Sequence, residues 1–213
     1  MRCLITAGPT REYLDPVRYL TNGSSGKMGY ALAEAAVARG WAVDLVSGPV
    51  ALAAPAGVDL TPVVSADDML QACEWRFAVC DVFIAVAGVA DFRPRFRSDQ
   101  KQTKAATGSS LEVEPTVDIL KTLGSKRRAD QILVGFAAET SDLEIKAPAK
   151  LVAKGCDWIV GNDVSAPGVG MEADANAVIL WGRNGRVGEV GPLPKHEIAG
   201  WLLQRILPGI KES

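Results

Sequence analysis

Short apolar runs alternate with stretches of helical periodicity along this chain. Cys3-Leu4-Ile5 is the first run, Trp41 to Ser47 the second and Val58 to Val64 the third. Val82 to Val86, Ile132 to Phe136 and Trp158 to Val160 follow. Runs this short, bounded by turn residues, read as buried strands. Between them, Lys27 to Arg39 places Met28, Leu32, Ala35 and Ala36 on one helical face, with Gly40 at the C-cap. Ala66 to Ala78 reads as a second helix, with Asp67 and Asp68 in its first turn, where negative charge suits the helix dipole. Glu197 to Ile206 reads as an amphipathic C-terminal helix. Strands alternating with helices predict an α/β chain built on a doubly wound, mostly parallel, Rossmann-like sheet.

Two stretches break this rhythm. Arg93 to Pro115 is polar and lysine-bearing, and predicts a mobile loop followed by an irregular strand around Leu111-Glu112-Val113-Glu114. Within Ala177 to Val190, Asn184-Gly185 lies between apolar flanks and predicts a C-terminal β-hairpin extension. No repeat or linker divides the chain, so residues 1–213 are expected to form one domain.

Composition narrows the chemistry. Of 213 residues, 48% are apolar and 23% charged, as in water-soluble α/β domains. The net charge of −2 gives no whole-protein field for nucleic acid, so small anions need a local cationic site. No signal peptide or membrane-spanning run is visible, which leads us to expect a cytoplasmic protein without membrane contact. Cys3, Cys73, Cys80 and Cys156 lack C-x-x-C spacing and are expected to be buried free thiols. His196, the only histidine, lies in Pro194-Lys195-His196-Glu197, which reads as a solvated helix start. Histidine-based triad chemistry has little support.

In open α/β sheets, ligands bind beyond the carboxyl ends of the strands. After the first run come Gly8 and then Asn22, Ser24, Ser25, Gly26 and Lys27, opening the first helix. Ser24 or Ser25 is positioned to cap that helix, and the small residues leave backbone N–H groups open to an anion. A phosphate or substrate loop and a plain capped turn both fit this pattern. It is not a P-loop, since Gly26-Lys27 is followed by Met28. Nor does Gly8-Pro9-Thr10 supply a G-x-G-x-x-G fingerprint, and no Tyr-x-x-x-Lys pair occurs.

The motifs Thr6-Ala-Gly-Pro-Thr-Arg-Glu, Asp15-Pro-Val-Arg and Asn22-x-Ser-Ser-Gly-Lys-Met-Gly occur in that order. They continue in Val46-Ser-Gly-Pro-Val, Val89-Ala-Asp-Phe-Arg-Pro, Val134-Gly-Phe-Ala-Ala-Glu-Thr, Asn162-Asp-Val and Asp174-Ala-Asn. Over nearly its whole length the chain thereby resembles the phosphopantothenate–cysteine ligases of coenzyme A biosynthesis. The resemblance implies amide formation between 4′-phosphopantothenate and L-cysteine through an acyl-nucleotidylate, with CTP, or alternatively ATP, as co-substrate and Mg²⁺ as metal. It implies that Asn22 holds the acyl-cytidylate and that Lys101 and Lys104 reach the triphosphate from a loop. Ala85, Val86, Ala87, Asp91, Asp118, Ile119 and Phe136 are implied in nucleotide binding, as are Lys150 and Lys154. Without the motif, that i, i+4 lysine pair reads as a solvated helix face.

The chain departs from the family pattern at Thr103, at Thr116-Val117 and at Gly88, which suggests a more flexible backbone beside the pocket. The resemblance also implies a homodimer, with the Asn184 hairpin a candidate contributor. Many relatives carry a fused N-terminal flavin-dependent decarboxylase to which nothing here corresponds, so the chain is expected to be either a stand-alone ligase or one ligase domain, with any decarboxylase on another chain. Two other readings stay open: a non-catalytic nucleotide-binding protein on the same scaffold, and an NAD(P)-dependent reductase.

Overall fold

A computed structural model describes residues 1–103, 110–165 and 170–207. The strands are β1 (Arg2–Ala7), β2 (Arg11–Tyr13), β3 (Tyr19–Thr21), β4 (Ala42–Ser47), β5 (Val58–Pro62), β6 (Val82–Ala85), β7 (Phe92–Pro94), β8 (Val113–Pro115), β9 (Ile132–Glu139), β10 (Trp158–Asp163), β11 (Ala175–Gly182) and β12 (Gly185–Pro194). The helices are α1 (Lys27–Val37), α2 (Ala66–Val79), α3 (Ile119–Gly124), α4 (Leu143–Lys154) and α5 (Lys195–Ile206).

One eight-stranded sheet, ordered β12-β11-β10-β9-β6-β1-β4-β5, organises the molecule. The six predicted strands form its parallel part, from β5 across to β10. The predicted hairpin then adds β11 antiparallel to β10, and β12 antiparallel to β11. In chain order the parallel strands lie third, second, first, fourth, fifth, sixth. That is the doubly wound order, and it reverses direction between β1 and β6.

Both faces of the sheet are covered. Cys3 and Ile5 of β1 face a cluster with Leu32, Ala36, Ile198 and Leu202 of α1 and α5. Leu4 faces the other side, with Met69, Phe77 and Leu123 of α2 and α3. Burial on both faces is why the interior strands read as continuous apolar runs rather than alternating ones. α4 packs Ala147 and Leu151 against Ile159 and Trp181 in a third cluster.

The capping expectations divide. α2 carries a capping box: Ser65 Oγ accepts from Asp68 N–H at 3.1 Å, and Asp68 accepts from Ser65 N–H at 2.9 Å. α1 does not use Ser24 or Ser25. Its N-cap is Gly26 at φ 77°, with no side-chain cap, because the turn needs a left-handed residue there. At the other end the C-cap is Ala38, and Gly40, at φ 74°, follows it. The C-terminal hairpin pairs Gly182 with Gly185, so Arg183-Asn184 forms its loop. The Arg93–Pro115 stretch starts as a strand: β7 pairs antiparallel with β8.

Candidate active site at the switch point of the sheet

A cavity of about 730 Å³ opens at the carboxyl edge of the parallel strands, where strand order reverses. Thr6 of β1 lies opposite Ala85 of β6 in register, and both line the cavity. Beyond them the loops after β1 and β6 stay joined. Gly88 N–H donates to Gly8 O at 2.9 Å, and Thr10 N–H to Gly88 O at 3.4 Å. Thr6 Oγ1 accepts from Ala87 N–H and Thr10 Oγ1 from Ala90 N–H, at 3.3 and 3.0 Å. These ties hold Ala85, Val86 and Ala87 in a fixed path along the cavity wall.

Asn22 enters from the loop after β3. Its Nδ2 donates to Val89 O at 2.8 Å and to Gly88 O at 3.4 Å. This ties the side-chain amide to the β6 loop and leaves the longer bond as the weaker one. Gly88 is explained by close approach rather than by flexibility. A Cβ there would lie 2.7 Å from Ser24 Cβ and 3.6 Å from Asn22 Cβ. Thr116, the second departure, serves as a tie: its hydroxyl donates to Ala90 O and its N–H to Asp91 O, at 2.5 and 3.0 Å.

Most predicted residues converge on this cavity. Gly8, Asn22, Ser24, Gly26 and Lys27 line one end, around the start of α1. Asp91, Asp118, Ile119 and Phe136 line it with Lys150 and Lys154. The two α4 lysines are not a solvated face. Lys150 pairs with Glu139 at 2.7 Å, and Lys154 pairs with Asp118, which also caps α3 by accepting from Lys121 N–H at 3.0 Å. The bond from Lys150, reinforced by Lys146, holds the Glu139 carboxyl below its usual pKa. Lys27 is paired too, with Asp174 at 2.6 Å.

Two predicted residues are placed elsewhere. Ser25 does not line the cavity; its hydroxyl donates to Met171 O. Lys101 is exposed and outside the lining, on a segment tied to the β2–β3 turn through Gln102, which is hydrogen-bonded to Asp15 and Arg18. Lys104 falls outside the described residues.

Residues 1–209 match the family described as DNA/pantothenate metabolism flavoprotein C-terminal domain. The chain belongs to this family. It is 50% identical over 211 residues to the coenzyme A biosynthesis bifunctional protein CoaBC of Bacillus subtilis, covering 99% of this chain and 52% of that protein. The protein of the same name from Escherichia coli is 42% identical over 206 residues, covering 95% of this chain and 50% of its own length. The chain thus spans about half the length of the curated relatives it matches. A crystal structure of the C-terminal domain of CoaBC superposes with a TM-score of 0.82 at 46% identity, covering 96% of this chain and 93% of that one.

The family domain also brings residues to the cavity that the sequence reading did not assign to the site. Asn162 and Asn176 lie in motifs that carry the resemblance, and both are buried at the cavity wall. Lys195 lines it as well and is only 6% exposed. Its neighbours Pro194 and His196 are exposed, and local polarity alone gives no hint of its burial. Of the expected thiols, all four are free and buried, and burial pushes Cys73 and Cys156 up to about 12 and Cys80 to about 11. Among the described residues, no helix is long and apolar enough to cross a membrane.

Proposed function

We propose that this chain is a phosphopantothenate–cysteine ligase that uses CTP. The observation that carries the reading is the meeting of Asn22 with Lys150 and Lys154 in one cavity at the switch point, in a chain that matches the family over nearly its full length. The nucleotide lies along Phe136 and Asp91, with its phosphates toward α4. The acid lies toward Asn22 and the start of α1, whose backbone N–H groups and dipole favour an anion.

The acid's carboxylate oxygen attacks the α-phosphorus of CTP and pyrophosphate leaves, giving an acyl-cytidylate. The cysteine amine then attacks the acyl carbon, CMP leaves, and the amine's proton passes to solvent. Asn22 Nδ2 would exchange its 3.4 Å bond to Gly88 O for the acyl oxygen as that oxygen gains charge. The lysines of α4 would exchange carboxylate partners for phosphates. The described residues form no group of three or more His, Cys, Asp or Glu side chains that could hold a metal. Mg²⁺ therefore fits as an ion carried by the triphosphate, where it would neutralise phosphate charge, rather than in a protein cage. A homodimer belongs to the same proposal.

Pyrophosphate release from CTP, measured with and without phosphopantothenate, tests the reading. Release that depends on the acid is expected, and Asn22→Asp should cut turnover about 100-fold, as for loss of one oxyanion donor, while keeping the fold. No release with either CTP or ATP would sink it. Nucleotide binding without release would instead identify a non-catalytic nucleotide-binding protein.

A further inference from the structure

Five consecutive backbone carbonyls, from Gly170 to Asp174, are each held by the starts of α1 and α5. Lys195 Nζ donates to Gly170 O at 2.9 Å, Met171 O at 3.1 Å and Ala173 O at 2.5 Å. Ser25 Oγ donates to Met171 O at 2.5 Å and Lys27 Nζ to Glu172 O at 3.0 Å. The Lys195 N–H completes the set, donating to Asp174 O at 3.1 Å.

The Lys195 side chain is expensive where it is. A cation in the first turn of a helix opposes the helix dipole. Burial of an ammonium costs more still unless its donors are satisfied. An ammonium has three donors, and here all three meet carbonyls of one strap. Burial, with Lys27 nearby, lowers its pKa, and Asp174 partly opposes that shift. On the strap's inner side, Gly170 and Met171 line the cavity together with Lys27.

We propose that Lys195 is a positioning residue whose ammonium holds the Gly170–Asp174 strap against the start of α1 and so shapes the end of the cavity that takes the acid substrate. The assignment of that end rests on the ligase reading above; the holding of the strap does not. Lys195→Met keeps the stem and removes all three donors. Lys195→Arg keeps the charge, but a planar fork cannot converge on three carbonyls as an ammonium does.

The test combines proteolysis with kinetics on the full chain. Without substrates, a glutamate-specific protease should cut after Glu172 about tenfold faster in Lys195→Met than in the parent, with Lys195→Arg between them. In steady state, KM for phosphopantothenate should rise about tenfold in Lys195→Met, with kcat and KM for CTP within about twofold of the parent. Parental cleavage rates, or KM values for both substrates rising together, would overturn the proposal. A parent without ligase activity would defeat the ligase reading alone, because the cleavage arm still decides the strap. Should Lys195→Met fail to fold, Lys27→Met removes the bond to Glu172 O and the ion pair with Asp174 from the strap. Faster cleavage is then expected, and an unchanged rate would count against the proposal.

Discussion

Asp15 shows how much one carboxylate can organise. It is fully buried and accepts from the N–H groups of Val17, Arg18 and Gln102 and from the Arg18 guanidinium. The guanidinium holds its carboxyl well below the usual carboxylate range. Arg18 also donates to Gln102 O at 3.1 Å, so the pair ties the Lys101 segment to the β2–β3 turn. A carboxyl with a depressed folded pKa stabilises fully above its unfolded value of about 3.9, and that contribution is lost as pH falls through the folded value. Asp15→Asn should therefore be less stable than the parent at pH 7, and the gap should narrow below about pH 4. Denaturant midpoints of both proteins at pH 7 and pH 3 measure this. A gap of constant size would show that the Asp15 charge contributes nothing.

At the scale of elements, the closeness of α1 to β1 sets the site. A Cβ on Gly29 would lie 2.6 Å from Ala7 Cβ, so the helix start can approach the strand end only with glycine there. In Gly29→Ala, a helix-propensity gain of up to about 1 kcal/mol is outweighed by overpacking of about 1–3 kcal/mol. Gly200 in α5 has nothing within 4 Å of its would-be Cβ, and Gly200→Ala should stabilise by up to about 1 kcal/mol. Chemical denaturation of the two variants should move in opposite directions. Stabilisation by Gly29→Ala would show that α1 yields freely. The same contrast explains what the sequence could disclose. The interior parallel strands were legible because burial on both faces writes a nearly unbroken apolar run, whereas the edge strand β5 has no buried residue and alternates Val58-Asp59-Leu60. The three-residue β2, β3 and β7 were missed because segments that short carry too few positions for a period. Lys150 and Lys154 fall on one helix face by spacing alone, but Glu139 and Asp118 come from β9 and the start of α3. Lys195 was illegible for a related reason: its carbonyl partners lie more than 20 residues upstream, and nothing local marks them.

Across the whole molecule, the cationic groups of the cavity form two sets. Lys27 and Lys195 belong to the starts of α1 and α5, and Lys150 and Lys154 to α4 on the opposite face of the sheet. Three of the four are already paired with carboxylates, Lys27 with Asp174, Lys150 with Glu139 and Lys154 with Asp118. In the proposed ligase, a triphosphate would have to compete with Asp118 and Glu139 by bringing more charge to lysines that stay in place. Such binding stabilises the folded chain by mass action, about 2.7 kcal/mol at a hundredfold excess over Kd. For a chain of this length each kcal/mol raises Tm by roughly 2–4 °C, so CTP with Mg²⁺ should raise Tm by about 5–10 °C. NADPH should leave Tm unchanged, because the loop after β1 lacks the dinucleotide glycines. Lys154→Gln should shrink the CTP shift by weakening the grip on the phosphates without disturbing the α1 end. A Tm that responds to NADPH and not to CTP would make the switch-point cavity a dinucleotide site and reverse the reading of its lysines.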